Sequence, residues 1–343
     1  MHKISSGRFL SPLWAWVILA LLFLATRPPV TGSLWRNMGA VASNQALSAG
    51  DAVSLSLRLA KPTRLLQQAM RLNPQSARTA RVLGYAYLWG AREADALRTW
   101  QAVSEKVSEE LIRWGDIAHS RAAYTDALHW YGLATNLEPS SAYAWYKTGL
   151  TQEKQSHWAL ALTAFTTALS LEQTNGAFIS SLYFHIGWLK HRQLGYALDE
   201  AIQSYTDALR LNAFADTDEQ VQAHFNLAEA SWKMGNVQSA VEQYEWVVTQ
   251  APVSFWGQYT ASLQLGRIFV LQGELHAAEA QFLRAIGIDE QPKWAFRQLA
   301  SLYEDAGRLK EAAAMYQQVL LRDSGDTEAA AHLSQIEAAL SRP

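Results

Sequence analysis

The sequence predicts an all-α protein, a solenoid of antiparallel helix hairpins preceded by a single transmembrane helix. Three observations point there. A small residue, an Ala twelve places later and an aromatic four places after that recur down the chain. Residues 9–26 carry no charge and are almost wholly apolar. Pro74, Pro139 and Pro252 fall where the second helix of a hairpin must stop.

Composition narrows the function classes. A chain of 343 residues is either two or three ordinary domains or one elongated array. The net charge of -2, with acids and bases interspersed, leaves no basic stripe to neutralise phosphates, so no nucleic-acid partner is expected. There is no cysteine, which excludes disulfides, thiolate catalysis and cysteine zinc sites. Fourteen tryptophans are many for this length, and Trp favours interfaces.

The first element is FLSPLWAWVILALLFLAT, residues 9–26, within an anchor of residues 1–27. Its eighteen residues span about 27 Å as a helix, close to the ~30 Å hydrocarbon core. Trp14 and Trp16 suit the headgroup level, and Arg27-Pro28-Pro29 stops the helix. A cleaved signal peptide is the alternative. Lys3 and Arg8 supply its basic start, but the nearest small-x-small triplet, Ala40-Val41-Ala42, lies far beyond the apolar core. Lys3 and Arg8 nearly balance Arg27 and Arg36, and a short N-terminal tail favours a single-pass protein with its repeats outside the cytoplasm. A linker is expected over residues 28–50. A degenerate hairpin is expected over 51–76, with helices at 51–60 and 62–72 and Pro62 in a first turn.

The repeats follow over residues 77–326. The triplets are Gly84-Ala96-Trp100, Gly115-Ala127-Tyr131, Gly149-Ala161-Phe165, Ala228-Ala240-Tyr244, Gly266-Ala278-Phe282 and Ala300-Ala312-Tyr316, with Gly187-Ala201-Tyr205 stretched by two. Two helices of a hairpin must cross closely, and a small residue on each lets the backbones approach. The aromatic sits one turn along the second helix and fills the space between. A further small residue three on (Ala134, Ala168, Ala208, Ala285) lets the next hairpin stack. Steps between the small anchors are 31, 34, 38, 41, 38 and 34. The surplus falls at residues 172–177, 191–196, 214–218 and 253–258, which reads as loop growth or as an edge decorated for a partner. Thr327 is expected to cap a last helix within residues 327–343.

These units resemble the tetratricopeptide repeat family, whose signature runs aromatic, Leu-Gly, Tyr, Ala, Phe, Pro. It is carried by Trp145, Gly149, Ala161 and Phe165, by Leu265, Gly266, Phe269, Ala278 and Phe282, and by Phe296, Leu299, Ala300, Tyr303, Ala312 and Tyr316. The resemblance implies a right-handed superhelix of about seven repeats whose first helices line a concave groove for a protein or peptide. The groove-facing places hold Arg78, Arg81, Tyr85, Leu88, Trp89, Ile112, Asp116, His119, Tyr143, Tyr146 and Glu153. Further along they hold Phe184, Trp188, His191, Phe225, Glu229, Trp232, Arg267, Arg297 and Glu304. Some family members clamp a C-terminal carboxylate with Lys and Asn. Arg81, Tyr85, Ile112 and Asp116 stand there instead, so that clamp is not implied.

The expected function is a membrane-tethered scaffold that binds a partner protein or peptide in the groove, in cell-envelope assembly. Alternatives are a carbohydrate-binding module in polysaccharide export or glycan assembly, and an adaptor on the cytoplasmic side of the membrane. A glycan site would need an exposed flat ring flanked by polar groups, and a peptide groove an apolar channel. Self-association stays open. No enzyme activity, metal or cofactor is expected. His185, His191 and His224 share no ligand spacing, the acidic residues Asp216, Asp218 and Glu219 lack the spacing of a calcium loop and read as a solvated loop, and no phosphate loop or nucleophile elbow occurs.

Overall fold

The computed structural model describes residues 55–102, 107–192, 198–252 and 254–341. The expected anchor at 9–26 and linker at 28–50 lie outside them. Among the described residues there are sixteen helices and no strand, and no helix is long and apolar enough to cross a membrane. The chain divides into two compact units, residues 1–151 and 152–343.

Unit 1 holds α1 (Leu55–Leu72), α2 (Ala77–Trp89), α3 (Glu93–Gln101), α4 (Val107–Ser120), α5 (Tyr124–Leu137) and most of α6 (Ala142–Lys154). The expected hairpin at 51–76 is instead one continuous helix through Pro62. Leu59, Leu66 and Ala69, each at most 1% exposed, place one buried face along α1, and that burial outweighs the backbone bond Pro62 cannot donate.

Unit 2 holds α7 (Trp158–Leu171), α8 (Gly176–Arg192), α9 (Leu198–Leu211), α10 (Thr217–Lys233) and α11 (Val237–Gln250). After these come α12 (Gln258–Gln272), α13 (Leu275–Ile288), α14 (Lys293–Asp305), α15 (Leu309–Arg322) and α16 (Thr327–Leu340). Helices α8 and α9, α10 and α11, α12 and α13, and α14 and α15 pair as hairpins, and α16 covers α15. Asp326, not Thr327, caps α16, its carboxylate accepting from the Ala329 N–H. That N–H first, and then Lys293 and Arg297 of α14, which both pair with the carboxylate, hold it down at about 2.

The repeated triplet works by sterics. A Cβ at Gly84, Gly115, Gly187 or Gly266 would strike the ring of Trp100, Tyr131, Tyr205 or Phe282, the aromatic of its own triplet. Those four rings are at most 1% exposed, and each contributes roughly 2–3 kcal/mol by burial. Each described turn from a first to a second helix closes the same way. The residue seven past the anchor is left-handed: Ala91, Ala122, Ser156, Gly235, Gly273 and Gly307. The next N–H then reaches back to the carbonyl five residues earlier, as in Arg92 to Tyr87 at 2.9 Å and Glu274 to Phe269 at 2.8 Å.

The long repeat steps are mostly not loops. Helices α2, α6 and α14 start seven residues before their anchors Gly84, Gly149 and Ala300, whereas α8 and α10 start eleven before Gly187 and Ala228. One extra helical turn thus supplies the four surplus residues before Gly187 and four of the seven before Ala228. Ahead of α12 most of the surplus falls instead in the connection between Gln250 and Gln258. The expected solvated acidic loop belongs to the second of these turns. Asp216 caps α10 by accepting from the Asp218 N–H at 2.8 Å. Glu219 accepts from the Ser181 hydroxyl and faces His185.

Candidate functional site

Unit 1 carries a cleft of about 390 Å³ between α2 and α4. Tyr85 and Trp89 of α2 form one wall, their rings stacked at 5.4 Å and 23°. Trp114 and Ile117 of α4 form the other and are 47% and 42% exposed. Trp114 is backed by Trp130 at 6.1 Å. Glu110 closes one side, accepting from Arg81 at 3.1 Å and from the Tyr85 hydroxyl at 2.9 Å. Burial first, and then that carboxylate, push the Tyr85 hydroxyl up, so it stays a donor. Arg113 stands exposed at the rim and makes no ion pair among the described residues.

Unit 2 carries a cleft of about 490 Å³ at the matching place of later repeats. Trp188 of α8, Phe225 of α10 and Trp256 of the 251–257 loop supply its rings. Arg192, Gln222, Asn226, Glu229 and Thr260 supply its polar wall. Arg192 donates to Glu229 and, at 3.2 Å, to the Asn226 side-chain oxygen. His191 next to it is pushed down to about 4, by burial first and then by Arg192 and Lys233, and is therefore neutral near pH 7. Trp256 is 66% exposed and rests edge-on against Phe225 at 5.1 Å. Gly257 makes that approach fit, since a Cβ there would strike Phe255 and Phe225.

The groove positions expected from the sequence separate by environment. Arg81, Tyr85 and Trp89 meet at the first cleft, and Trp188, Phe225 and Glu229 at the second. Phe184 and Ile112 do not face a groove. They are 5% and 8% exposed, and burial of their apolar surface places them in the core. Phe225 is core too, at 1%, and shows the second cleft little more than a ring edge. Leu88 and Trp232 pack against core clusters. Asp116 accepts from the buried Tyr131 hydroxyl at 2.7 Å and pairs with Lys147 at 3.1 Å, so it is spent on the hairpin. Arg297 pairs with Asp326 and Glu328, and Glu304 accepts from Tyr316 and pairs with His332.

Glu153 meets His185, while Arg78 and Arg267 are exposed. Tyr143 is exposed with Tyr146 beside it at 6.4 Å, and His119 bonds Thr151 at 3.0 Å.

Sequence reasoning missed Glu110, Arg113, Trp114 and Ile117 in the first cleft, and Arg192, Gln222, Asn226, Trp256 and Thr260 in the second. Register alone would have found Arg192, since it lies five past Gly187 as Trp89 lies five past Gly84. Trp256 had a weaker signal, an aromatic pair before a glycine in the insertion at residues 253–258.

Two tetratricopeptide repeat family models match the chain, one over residues 197–255 and 230–292 and the other over 295–330. A comparison with curated proteins finds no match. Among solved structures, one described as YrrB, a tetratricopeptide protein with an unusual peptide-binding site, is 17% identical. It covers 58% of this chain and 95% of its own, with a TM-score of 0.49. Pseudomonas aeruginosa pilF is 18% identical over 68% of this chain and 97% of its own, with a TM-score of 0.48. PilW, described as a widely conserved type IV pilus biogenesis factor, is 17% identical over 68% of this chain and 99% of its own, with a TM-score of 0.47. The chain is thus an all-α helical repeat protein that carries tetratricopeptide repeats across residues 197–292 and 295–330.

Proposed function

We propose that the chain is a non-catalytic, membrane-tethered scaffold in cell-envelope assembly, binding a partner protein through a peptide segment laid into the α2–α4 cleft. The observation that carries this is the wall of half-buried Trp89 and exposed Trp114 and Ile117, beside an Arg113 that makes no ion pair among the described residues. Glu110 is engaged by Arg81 and Tyr85, so the cleft presents apolar surface and a positive rim at Arg113. It suits an aromatic or aliphatic side chain next to an acidic residue. The test is a set of short fluorescent peptides pairing an aromatic with Asp, Lys or Ser. The Asp member is expected to bind best. Trp114→Ala is expected to cost about 2 kcal/mol, roughly thirtyfold in affinity. Arg113→Glu is expected to invert the acid preference. Equal binding of all peptides by both variants would remove the proposal.

The tether is residues 9–26, and the repeats stand outside the cytoplasm. Their support is the uncharged span and the short basic tail before it. The chain has no cysteine, so single cysteines placed at Ser43 and Ser324 report position directly. Both are expected to react with an impermeant maleimide on intact cells. Reaction only after the membrane is opened would put the repeats inside.

A further inference from the structure

We infer that the unit 2 cleft is a second, independent binding site whose ligand is a neutral carbohydrate chain, with Trp256 as the stacking platform and the Arg192–Glu229–Asn226 wall as the hydroxyl reader. The inference goes beyond the peptide site and does not rest on it.

Three features of the cleft select the ligand class. The first is the platform. Trp256 is 66% exposed, with Phe225 edge-on to it at 5.1 Å and Phe255 tilted against it at 5.3 Å. A flat ring left open to solvent offers a face for the C–H surface of a sugar ring. The second is the charge of the opposite wall. Arg192 and Glu229 neutralise one another, and His191 beside them is neutral. A charged ligand group would have to displace one partner of that pair, which costs more than it returns. The third is the density of hydrogen-bonding groups. Asn226 meets Arg192, and Gln222 and Thr260 make no side-chain hydrogen bond among the described residues. An apolar peptide side chain laid there would strip water from these groups without replacing it. A pyranose satisfies both sides at once, its C–H face on Trp256 and its hydroxyl edge on the wall. The volume, about 490 Å³, is in the range of small-molecule sites, and the cleft is open enough for a longer chain to run out of it.

The repeat architecture explains why the site occurs here. The platform sits in the loop before α12, the longest connection between described repeats, while the shorter connections, such as residues 289–292, carry no such ring. The insertion thus adds one exposed tryptophan to a wall the regular helices already provide.

The test uses the full chain and soluble neutral tetrasaccharides, namely cellotetraose, maltotetraose and chitotetraose, read by saturation-transfer NMR and calorimetric titration. At least one is expected to bind. Trp256→Ala is expected to weaken it tenfold or more, roughly the loss of one interface anchor. Because Trp256 is exposed, that variant keeps its fold, checked by circular dichroism. Gly257→Ala, which pushes the loop off Phe225, is expected to weaken binding in the same direction. Trp114→Ala in unit 1 is expected to leave it unchanged. Failure of all three sugars to bind, or binding that survives Trp256→Ala, overturns the inference. Loss of peptide rather than sugar binding in Trp256→Ala also overturns it and makes this cleft a peptide groove. Failure of the peptide site alone leaves it standing.

Discussion

The two clefts occupy the same register in the repeat and differ in what the register holds. One place past the anchor stands Tyr85 in the first and Trp188 in the second. Five places past it stand Trp89 and Arg192. Two places before the next anchor stand Arg113 and Asn226. One place before that anchor, Trp114 lies 47% exposed, while Leu227 at the matching place is buried. The first cleft is therefore apolar with a cationic rim, and the second polar, neutral and roofed by an inserted tryptophan. Regular repeats make a cleft from first-helix residues alone. The longer ones add a turn or a loop, and the addition changes the chemistry without changing the stacking.

The extra turns carry a second consequence, confined to unit 2. The added turn of α10 contains Glu219, which faces His185 Nε2 at 3.6 Å, while Glu153 sits 3.1 Å from Nδ1. His185 is also stacked on Phe165 at 4.9 Å. Burial alone would lower its pKa, but the two carboxylates overcome it and raise it to about 9. Despite its own burial, Glu219 is held below its usual range by His185 and Ser181. A histidine raised in the folded state stabilises fully below its unfolded value of about 6.5, and that stability is lost as pH rises through about 9. The loss is expected to reach about 3 kcal/mol. Thermal unfolding followed between those two pH values would register it, and His185→Gln should flatten the dependence. An unchanged pH profile in that variant would mean the charge is not held there. No histidine lines the α2–α4 cleft, so peptide binding should persist over the same interval.

The fold was largely legible because its rule is steric. A ring sixteen places past a small residue requires a close helix crossing, and Gly84 under Trp100 or Gly266 under Phe282 can be read from spacing alone. Whether an insertion becomes a turn or a loop was not legible, since both lengthen the step equally. The continuous α1 through Pro62 was not legible either, because its buried face depends on what it packs against. The site was only partly legible, for a related reason. The place three before the anchor has one backbone direction in every repeat. Yet Ile112, Phe184 and Phe225 sink from it into the core, while Arg81 and Arg297 turn from it towards carboxylates. The side chain's own solvation decides, so a register rule names the position and not its exposure.

The smallest expected difference between the units lies in their hairpin turns. Unit 1 puts Ala91 and Ala122 at left-handed positions, with φ of 57° and 58°. Unit 2 has Ser156 at one equivalent position, with φ of 61°, and Gly235, Gly273 and Gly307 at three others, with φ of 79°, 78° and 71°. A residue with a Cβ costs about 1–2 kcal/mol in that conformation. Glycine removes the cost but adds about 0.4–1 kcal/mol of unfolded-chain entropy. Ala122 is exposed and its N–H already bonds the His119 carbonyl at 2.9 Å, so Ala122→Gly changes little else. It should stabilise unit 1 by about 0.5 kcal/mol. Gly273→Ala should cost unit 2 about 0.5 kcal/mol by the same balance reversed. Chemical denaturation of both variants measures the pair, and a loss of stability in Ala122→Gly would show that the unit 1 turns carry no left-handed strain to relieve.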